Sequence, residues 1–464
     1  VETGEVKFVK VVKTLRYKIT SHSKIFDKTI EIYNEALGFL INVIDQEFNS
    51  IGHLSTKSLV PAVESLIHFT KSNLRPKYGA FDTTFYKFPS YFRRSAISEA
   101  FGIVKSHRSN FYNWNLEKEM AVSEGRLFKK NPPRLQFQHK SFPVFYKDNM
   151  FERISEKTGK IKVFHKKDWV WIDIDFKTQD LYKRGVWDWK ENNPTLVKVG
   201  KKYFLNISYQ SQVKLKTEKI QNQRICSVDL GLTKSAVCSI MDANGTVLAR
   251  KFINQPKEKD RFTAIINKLK KSQRESGNGA KPNFWRRING LQNQIVTDTA
   301  HQITKFAHDN GAHVIVFEYL GKMRLPKGVY GAKRLRFKFQ YWAKLLLQNK
   351  VKQMGHYLGM RFSRVNPKNT SALAFDGSGY VVRSDRKDLC VFTTGKTYHS
   401  DLNASYNIAA RYFIREIQKS ISEKKWLSIQ AKVPELAKRT SLTLSSFINL
   451  KQALRPVYTV NSLV

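Results

Sequence analysis

Residues 6–20 alternate apolar and polar side chains, with Leu15, Tyr17 and Ile19 on one face, and this period of two predicts a strand. From Ile25 to about Phe48 the period changes. Phe26, Ile30, Tyr33, Leu37, Leu40 and Ile44 recur at helical spacing. Residues 53–75 and 89–124 continue as helices, broken near Arg75-Pro76, because the residue before a proline is pushed out of the helical region. Between Asn131 and about Lys216 short β-branched and aromatic runs take over, such as Val163-Phe164, Trp169-Val170-Trp171-Ile172 and Tyr203-Phe204-Leu205-Asn206-Ile207. That pattern predicts a small β-barrel whose first strand is residues 6–20, interrupted by a helical insertion.

After about Thr217 a third region begins. Residues 224–230 read as an apolar strand, and Ala236–Met241 and Val247–Ile253 flank Asn244-Gly245, a strong hairpin signal. A helix is expected over about 287–310, with Ile288, Leu291, Ile295, Ile303 and Phe306 on one face. A strand at 313–317 follows, then a loop rich in Gly, Lys and Arg over 321–336. A helix over about 339–355 carries Trp342, Leu345, Leu346, Val351 and Met354, and a strand at 360–365 ends before Pro367. Asp401 opens another amphipathic helix. Strand, hairpin, helix, strand, helix is the order of RNase H-like and RuvC domains. Residues 275–281 read as a flexible basic loop, and the tail from about 414 to 464 has amphipathic stretches such as Leu436–Leu450 but no motif.

Charge narrows the partners. Among 464 residues, 81 Lys and Arg stand against 38 Asp and Glu, a formal +43. A chain this basic repels itself without a polyanion, and nucleic acid fits that role. No apolar run near 18 residues and no signal-like start is present, so the chain reads as cytoplasmic and prokaryotic, with no membrane partner. Its three cysteines, Cys226, Cys238 and Cys390, form no Cys-x-x-Cys pair, as suits a reducing compartment. Basic residues are interleaved with aromatics in Phe88–Arg94, Phe284–Arg287 and Arg334–Phe339. These aromatics either stack on bases or form core with the charges on the solvated side.

Three carboxylates end or open the elements of the third region. Asp229 closes the strand Ile225–Asp229, Glu318 closes Val314–Glu318, and Asp401 opens the last helix. Taken singly, they read as a turn residue, a surface residue and a helix N-cap. Taken in order, the first and fourth strands deliver Asp229 and Glu318, and the helix brings Asp401 beside them. Carboxylates drawn together repel, and hard divalent cations such as Mg²⁺ relieve that repulsion. Two such ions roughly 3.5–4 Å apart suit phosphodiester hydrolysis. Asp229, Glu318 and Asp401 are therefore the candidate catalytic and metal-binding residues, with Mg²⁺ expected, two per site, and Mn²⁺ able to substitute. Asn403 is open to either a supporting hydrogen bond at the site or a helix-turn role.

Asp229-Leu230-Gly231, Glu318 after its apolar strand, and Ser400-Asp401-Leu402-Asn403-Ala404 with Asn407-Ile408-Ala409 resemble the RuvC motifs of transposon-encoded TnpB proteins and of compact type V CRISPR effectors. Val365-Asn366-Pro367-Lys368-Asn369-Thr370-Ser371 resembles the family segment that enters a zinc ribbon. The resemblance is specific from about 224 to 410 and weaker before 220. It implies an α+β multidomain chain: a wedge-like N-terminal β-barrel with a helical insertion, then an RNase H-like RuvC α/β domain with a degenerate zinc-ribbon-like insertion. The implied boundaries are 1–20 and 131–219 for the barrel, 21–130 for the helical recognition insertion, 220–367 for the first part of RuvC, 368–400 for the degenerate insertion, and 401–464 for the final helix and tail. It implies RNA-guided DNA cleavage by a single RuvC site, with a guide RNA and target DNA as partners and a monomer favoured. Two alternatives stay open: a guide-independent RNase H-fold nuclease or resolvase, and a guided DNA-binding repressor without cleavage.

The family places two Cys-x-x-Cys pairs in the insertion. Here the matching positions hold Ala374, Gly377, Val391 and Thr394. Cys390 and His399 cannot complete a tetrahedral set, so no structural zinc is expected. Packing of Leu373, Phe375, Tyr380, Val382 and Phe392 is expected to hold the hairpin instead.

Overall fold

The computed structural model describes residues 7–21, 24–231, 235–277, 281–321, 331–383 and 388–454, and of residues 331–342 the backbone alone. Of the loop expected over 321–336, residues 322–330 lie outside these limits, whereas 331–336 are helical, so the helix expected from about 339 begins at Gly331. The side chains of Arg334–Phe339 and Trp342, the middle of the 275–281 loop and the tail past 454 also lie outside these limits. The chain divides into two units, Val12–Ser211 and the remainder.

In the first unit the change of hydrophobic period marks the change of structure. Strand β1 (Phe8–Lys18) is followed by α1 (Ile25–Gln46), α2 (Phe48–Ile51), α3 (Thr56–Ile67), α4 (Ala80–Thr84) and α5 (Ser90–Ser123). Then come β2 (Phe151–Arg153), β3 (Thr158–His165), β4 (Asp168–Asp175), β5 (Lys190–Glu191), β6 (Thr195–Val199) and β7 (Lys202–Lys214). The strands form two sheets, one of β1, β7, β5 and β6, the other β2-β3-β4. Ile19 bridges to Phe176, joining the end of β1 to the end of β4. One apolar cluster runs through both helices and strands, with Tyr33, Leu37, Phe81, Phe92, Phe145 and Leu205 fully buried. The helix expected over 53–75 is shorter: it stops at Ile67, and a Thr70–Asn73 bridge turns the chain. Of the Phe88–Arg94 stretch, Phe88, Phe92 and Arg93 are buried, and Arg93 pairs with Glu64 at 3.1 Å. Phe88 and Phe92 are core, while Tyr91 is half-buried against Tyr146 with Arg94 over its ring.

In the second unit β8 (Arg224–Asp229), β9 (Ala236–Asp242) and β10 (Val247–Ile253) lead to α6 (Pro256–Ser276) and α7 (Pro282–Asp309). Next are β11 (Val314–Glu318), α8 (Gly331–Tyr357) and β12 (Arg361–Val365). A small lobe carries β13 (Val382–Arg383), β14 (Leu389–Val391) and β15 (Thr397–His399). The chain closes with α9 (Ser400–Ser420), α10 (Glu423–Lys432) and α11 (Leu444–Ala453). The main sheet has the order β10-β9-β8-β11-β12. β8 runs antiparallel to β9 and parallel to β11, and β11 is parallel to β12. This is the mixed five-stranded order of RNase H-like domains.

The near-continuous apolar runs of β8 and β11 reflect burial on both faces. Ile225, Val314 and Val316 pack with Leu402, Tyr406 and Phe413 of α9. Cys226, Val228, Ile315 and Phe317 face the other way, against Ile303 and Ala307 of α7 and Leu347 and Val351 of α8. The hairpin turn is where Asn244-Gly245 predicts it. Asp242 Oδ1 accepts from the backbone N–H of Asn244 and Thr246, and Gly245 takes a φ of 88° beneath Leu444 and Phe447. Helix α6 has no counterpart in the expected elements; its buried stripe is only Ile266 and Leu269, packed on Ile288 of α7 with Phe284 and Trp285 alongside.

In the lobe Ala374, Cys390 and Phe392 are buried, with Phe375, Val381 and Tyr398 packed on them. Tyr380 and Val382, expected inside, are 64% and 68% exposed. The strands are too short to give the lobe a second apolar face, so its interior draws on Tyr398 and on Tyr406 of α9 instead. No described helix is long and apolar enough to cross a membrane.

Candidate active site

Register puts the first two carboxylates side by side. Val228 of β8 pairs with Phe317 of β11, so Asp229 and Glu318 are the next residues on adjacent parallel strands, about 4.8 Å apart across the sheet. Side chains alternate along a strand. Val228 and Phe317 face α7 and α8, so Asp229 and Glu318 turn toward the face that α9 covers. Asp401 lies in the first turn of α9. It is not the N-cap: His399 holds that position, and its Nδ1 accepts from the Asp401 N–H at 3.2 Å.

The three carboxylates are half-buried. Burial, then the negative charges of Glu318 and Asp401, push the Asp229 carboxyl up to about 8, against an opposing pull from Lys344. Burial also raises the Glu318 carboxyl, opposed by a hydrogen bond from the Thr370 hydroxyl and by the charges of Lys344 and Arg411. Glu318 is also fixed through its backbone, whose carbonyl accepts from Gln348 Nε2 of α8 at 2.9 Å. The structure thus brings Glu318 and Asp401 each within electrostatic reach of Asp229. Among the described residues, no three His, Cys, Asp or Glu side chains are gathered tightly enough to hold an ion as they stand. The donor set still fits a hard divalent cation: carboxylate oxygens only, with more negative charge than Lys344 and Arg411 offset, and one carboxyl displaced toward neutrality in the ion's place.

The helix that carries Asp401 has a polar row at spacing i, i+4, i+8. Asn403 and Asn407 are fully buried and Arg411 is 3% exposed. Asn403 donates to the Leu373 carbonyl and accepts from the Phe375 N–H, both at 2.8 Å. These bonds match neither of its two readings: Asn403 anchors the entrance to the lobe. Asn407 donates to the carbonyls of Thr370 and Leu373 and accepts from the Leu444 N–H. Arg411 donates to four carbonyls, those of Asn366, Lys368, Thr440 and Leu442, at 2.7–3.2 Å.

Parts of the chain are similar to known proteins. A protein-family model for the Aq_aa04 family matches residues 13–165. A TnpB-like protein of Aquifex aeolicus (strain VF5) is 26% identical over 232 residues, 46% of this chain and 74% of that protein. The chain is homologous to a TnpB-like protein. Among solved structures, Cas12f1 in complex with sgRNA and target DNA is 16% identical, covers 86% of this chain and 98% of its own, and has a TM-score of 0.31. AacC2c1 in complex with sgRNA is 10% identical, covers 84% of this chain and 70% of its own, and has a TM-score of 0.40. The fold assignment owes nothing to these scores and rests on strand order and register.

Three neighbours of these carboxylates went unforeseen in the sequence: Lys344, Thr370 and Arg411. For Arg411 a signal exists. Asn403, Asn407 and Arg411 form one polar line in a helix whose other residues from Leu402 to Ile414 are buried, and a buried polar row must have partners. Lys344 had none, since a lysine between apolar helix positions reads as a solvated face.

Proposed function

We propose that this TnpB-like chain is an RNA-guided DNA endonuclease that hydrolyses target DNA at a single RuvC-like site. One observation carries the reading. Two adjacent parallel strand ends and the first turn of the covering helix carry Asp229, Glu318 and Asp401, with the charges of Glu318 and Asp401 both acting on Asp229, in the strand order of RNase H-like domains. Asp229, Glu318 and Asp401 would hold two divalent cations. Bound there, such ions supply charge neutralisation for a scissile phosphate and a water activated at neutral pH. The protein's own part is to orient: Asp229 and Glu318 are fixed by the register of β8 and β11, Asp401 by the His399 cap, and Lys344 adds positive charge beside them.

The basic surface supports a nucleic-acid partner. A groove between α6 and α7 is lined by Arg261, Lys268 and Arg287 with Ile265 and Leu291 beneath. A cavity of about 390 Å³ is lined by Arg364, Arg415, Lys419 and Arg439. Lys and Arg facing open space over an apolar floor suit phosphates. The wedge-like barrel (1–20 and 131–219) and its helical insertion (21–130) would hold guide RNA and the guide–target duplex. Residues 220–367 and 401–464 would form the nuclease domain around the zinc-free insertion at 368–400. Protein expressed with its flanking DNA should carry one discrete RNA and, with Mg²⁺, cut DNA matching that RNA. Asp229→Ala, Glu318→Ala and Asp401→Ala should each abolish cutting and leave RNA and target binding intact. A random RNA population with guide-independent cutting would favour a guide-free nuclease, and target binding without any cutting would favour a repressor.

A further inference from the structure

We propose that Thr370 is a positioning residue for Glu318, and that Asn407 ties this hold to the helix bearing Asp401, so that two of the three carboxylates share one rigid frame. The inference rests on the reading of Glu318 and Asp401 as metal-binding acids. It concerns a residue outside that set, in the segment that leads from β12 into the lobe.

Thr370 is 2% exposed. Asn369, just before it, takes a φ of 64°, a left-handed conformation that asparagine tolerates better than most residues. This tightens the turn after Pro367 and aims the Thr370 side chain back toward the end of β11. Its hydroxyl has one proton and two acceptors within reach, Glu318 Oε1 and the Pro367 carbonyl, the latter at 2.9 Å. An ionised carboxylate is the stronger acceptor. When Glu318 is charged, the proton goes to Glu318 and fixes one of its two oxygens. The other oxygen stays available to an ion.

The turn itself is bound to α9. Asn407 Nδ2 reaches the Thr370 carbonyl at 3.0 Å and the Leu373 carbonyl at 2.9 Å. Asn403 reaches the Leu373 carbonyl and the Phe375 N–H, and Arg411 holds the Asn366 and Lys368 carbonyls. Residues 366–375 are thus fastened at five points along one face of the helix that carries Asp401. Glu318 and Asp401 are 83 residues apart in sequence, yet a chain of two residues, Thr370 and Asn407, links the Glu318 carboxylate to α9 by hydrogen bonds. A purely structural Thr370 would need the Pro367 bond alone, and that bond caps the turn without Glu318.

The test is Mn²⁺ binding to the RNA-free full chain, read by electron paramagnetic resonance, for wild type, Thr370→Val, Thr370→Ser, Glu318→Ala and the Thr370→Val/Glu318→Ala double variant. Thr370→Ala replaces Thr370→Val should the latter fail to fold, which thermal unfolding reports. Thr370→Val should weaken Mn²⁺ binding about tenfold, the value of one hydrogen bond to a charged group, and Thr370→Ser should restore it. In the Glu318→Ala background the Thr370 change should add nothing, as non-additivity through a shared partner requires. In the guided complex, single-turnover cleavage at saturating target should fall with target affinity unchanged. Wild-type Mn²⁺ binding in Thr370→Val, or an equal loss in the Glu318→Ala background, overturns the positioning role. A wild-type chain that binds no Mn²⁺ overturns the carboxylate reading and this role with it. Mn²⁺ binding that follows the predicted pattern without guided cleavage supports Thr370 and removes the proposed nuclease function alone.

Discussion

Replacing Arg411 by Met should strongly destabilise the second unit. The Met side chain matches much of the volume but donates nothing. Arg411 is almost fully buried, and four of its five N–H groups are spent on the carbonyls of Asn366, Lys368, Thr440 and Leu442. Hydrogen bonds from a charged donor contribute roughly 1.5–3 kcal/mol each, but the four are not additive. The cavity lined by Arg364, Arg415 and Arg439 lets water reach some of the freed carbonyls. The expected loss is therefore about 3–5 kcal/mol, the scale of breaking a buried charged network. Arg411→Lys keeps the charge but offers three donors without the planar fork, and should lose about 1–3 kcal/mol. Denaturant unfolding of the RNA-free protein gives the magnitude. Amide exchange gives the location: the N–H groups of Phe375, Leu444 and Ser445, all bonded around this network, should exchange faster. A loss under about 1 kcal/mol for Arg411→Met, or exchange unchanged at those three amides, would refute the reasoning.

The ion-free protein should lose stability as pH rises from near 4 to about 8, because folded Asp229 keeps until about 8 a proton that the unfolded chain sheds near 3.8. Asp229→Asn should make that slope shallower in thermal melts with chelator present, the raised Glu318 carboxyl leaving a smaller slope of the same sign, and millimolar Mg²⁺ should stabilise wild type at pH 8 but not the variant; a slope unchanged by the substitution contradicts the assignment. Elemental analysis should find well under one zinc per chain, and Cys390→Ser should be nearly silent, since a serine hydroxyl can keep the bond that the Cys390 thiol makes to the Tyr398 carbonyl. Phe392→Ala, by contrast, removes a buried ring packed on Phe375 and Tyr398 and should cost the lobe about 3–5 kcal/mol, read as faster proteolysis of residues 372–399. RNA affinity should fall a hundredfold or more between about 50 and 200 mM salt, and a flat salt response contradicts binding through the basic grooves.

What the sequence made legible follows from burial. β8 and β11 are buried on both faces, so their apolar runs stand out, and the carboxylates that end them are conspicuous against Val228 and Phe317. The hairpin was legible because Gly245 and Asp242 encode the turn locally. Helix α6 was not, because two buried residues in twenty-one make too thin a stripe to separate from a solvated segment. Tyr380 and Val382 misled for the reverse reason: apolar residues in a small lobe need not find an interior. Thr370 was illegible as part of the site because its partner is distant in sequence, and the polar row that marks Arg411 as needing partners does not say that they are backbone carbonyls. Thr370 meets a carboxylate 52 residues before it, and no residue pattern marks which carbonyls a buried guanidinium will collect.

The central claim is that this chain cuts DNA chosen by an RNA. The direct measurement is cleavage of two supercoiled plasmids by the purified protein–RNA complex in Mg²⁺, before and after the guide segment of the bound RNA is rewritten. Cutting should move from the plasmid matching the original guide to the plasmid matching the new one, and Glu318→Ala complexes should bind each matching plasmid without cutting either. Cutting that ignores the rewritten guide, or that persists unchanged in Glu318→Ala, contradicts the account.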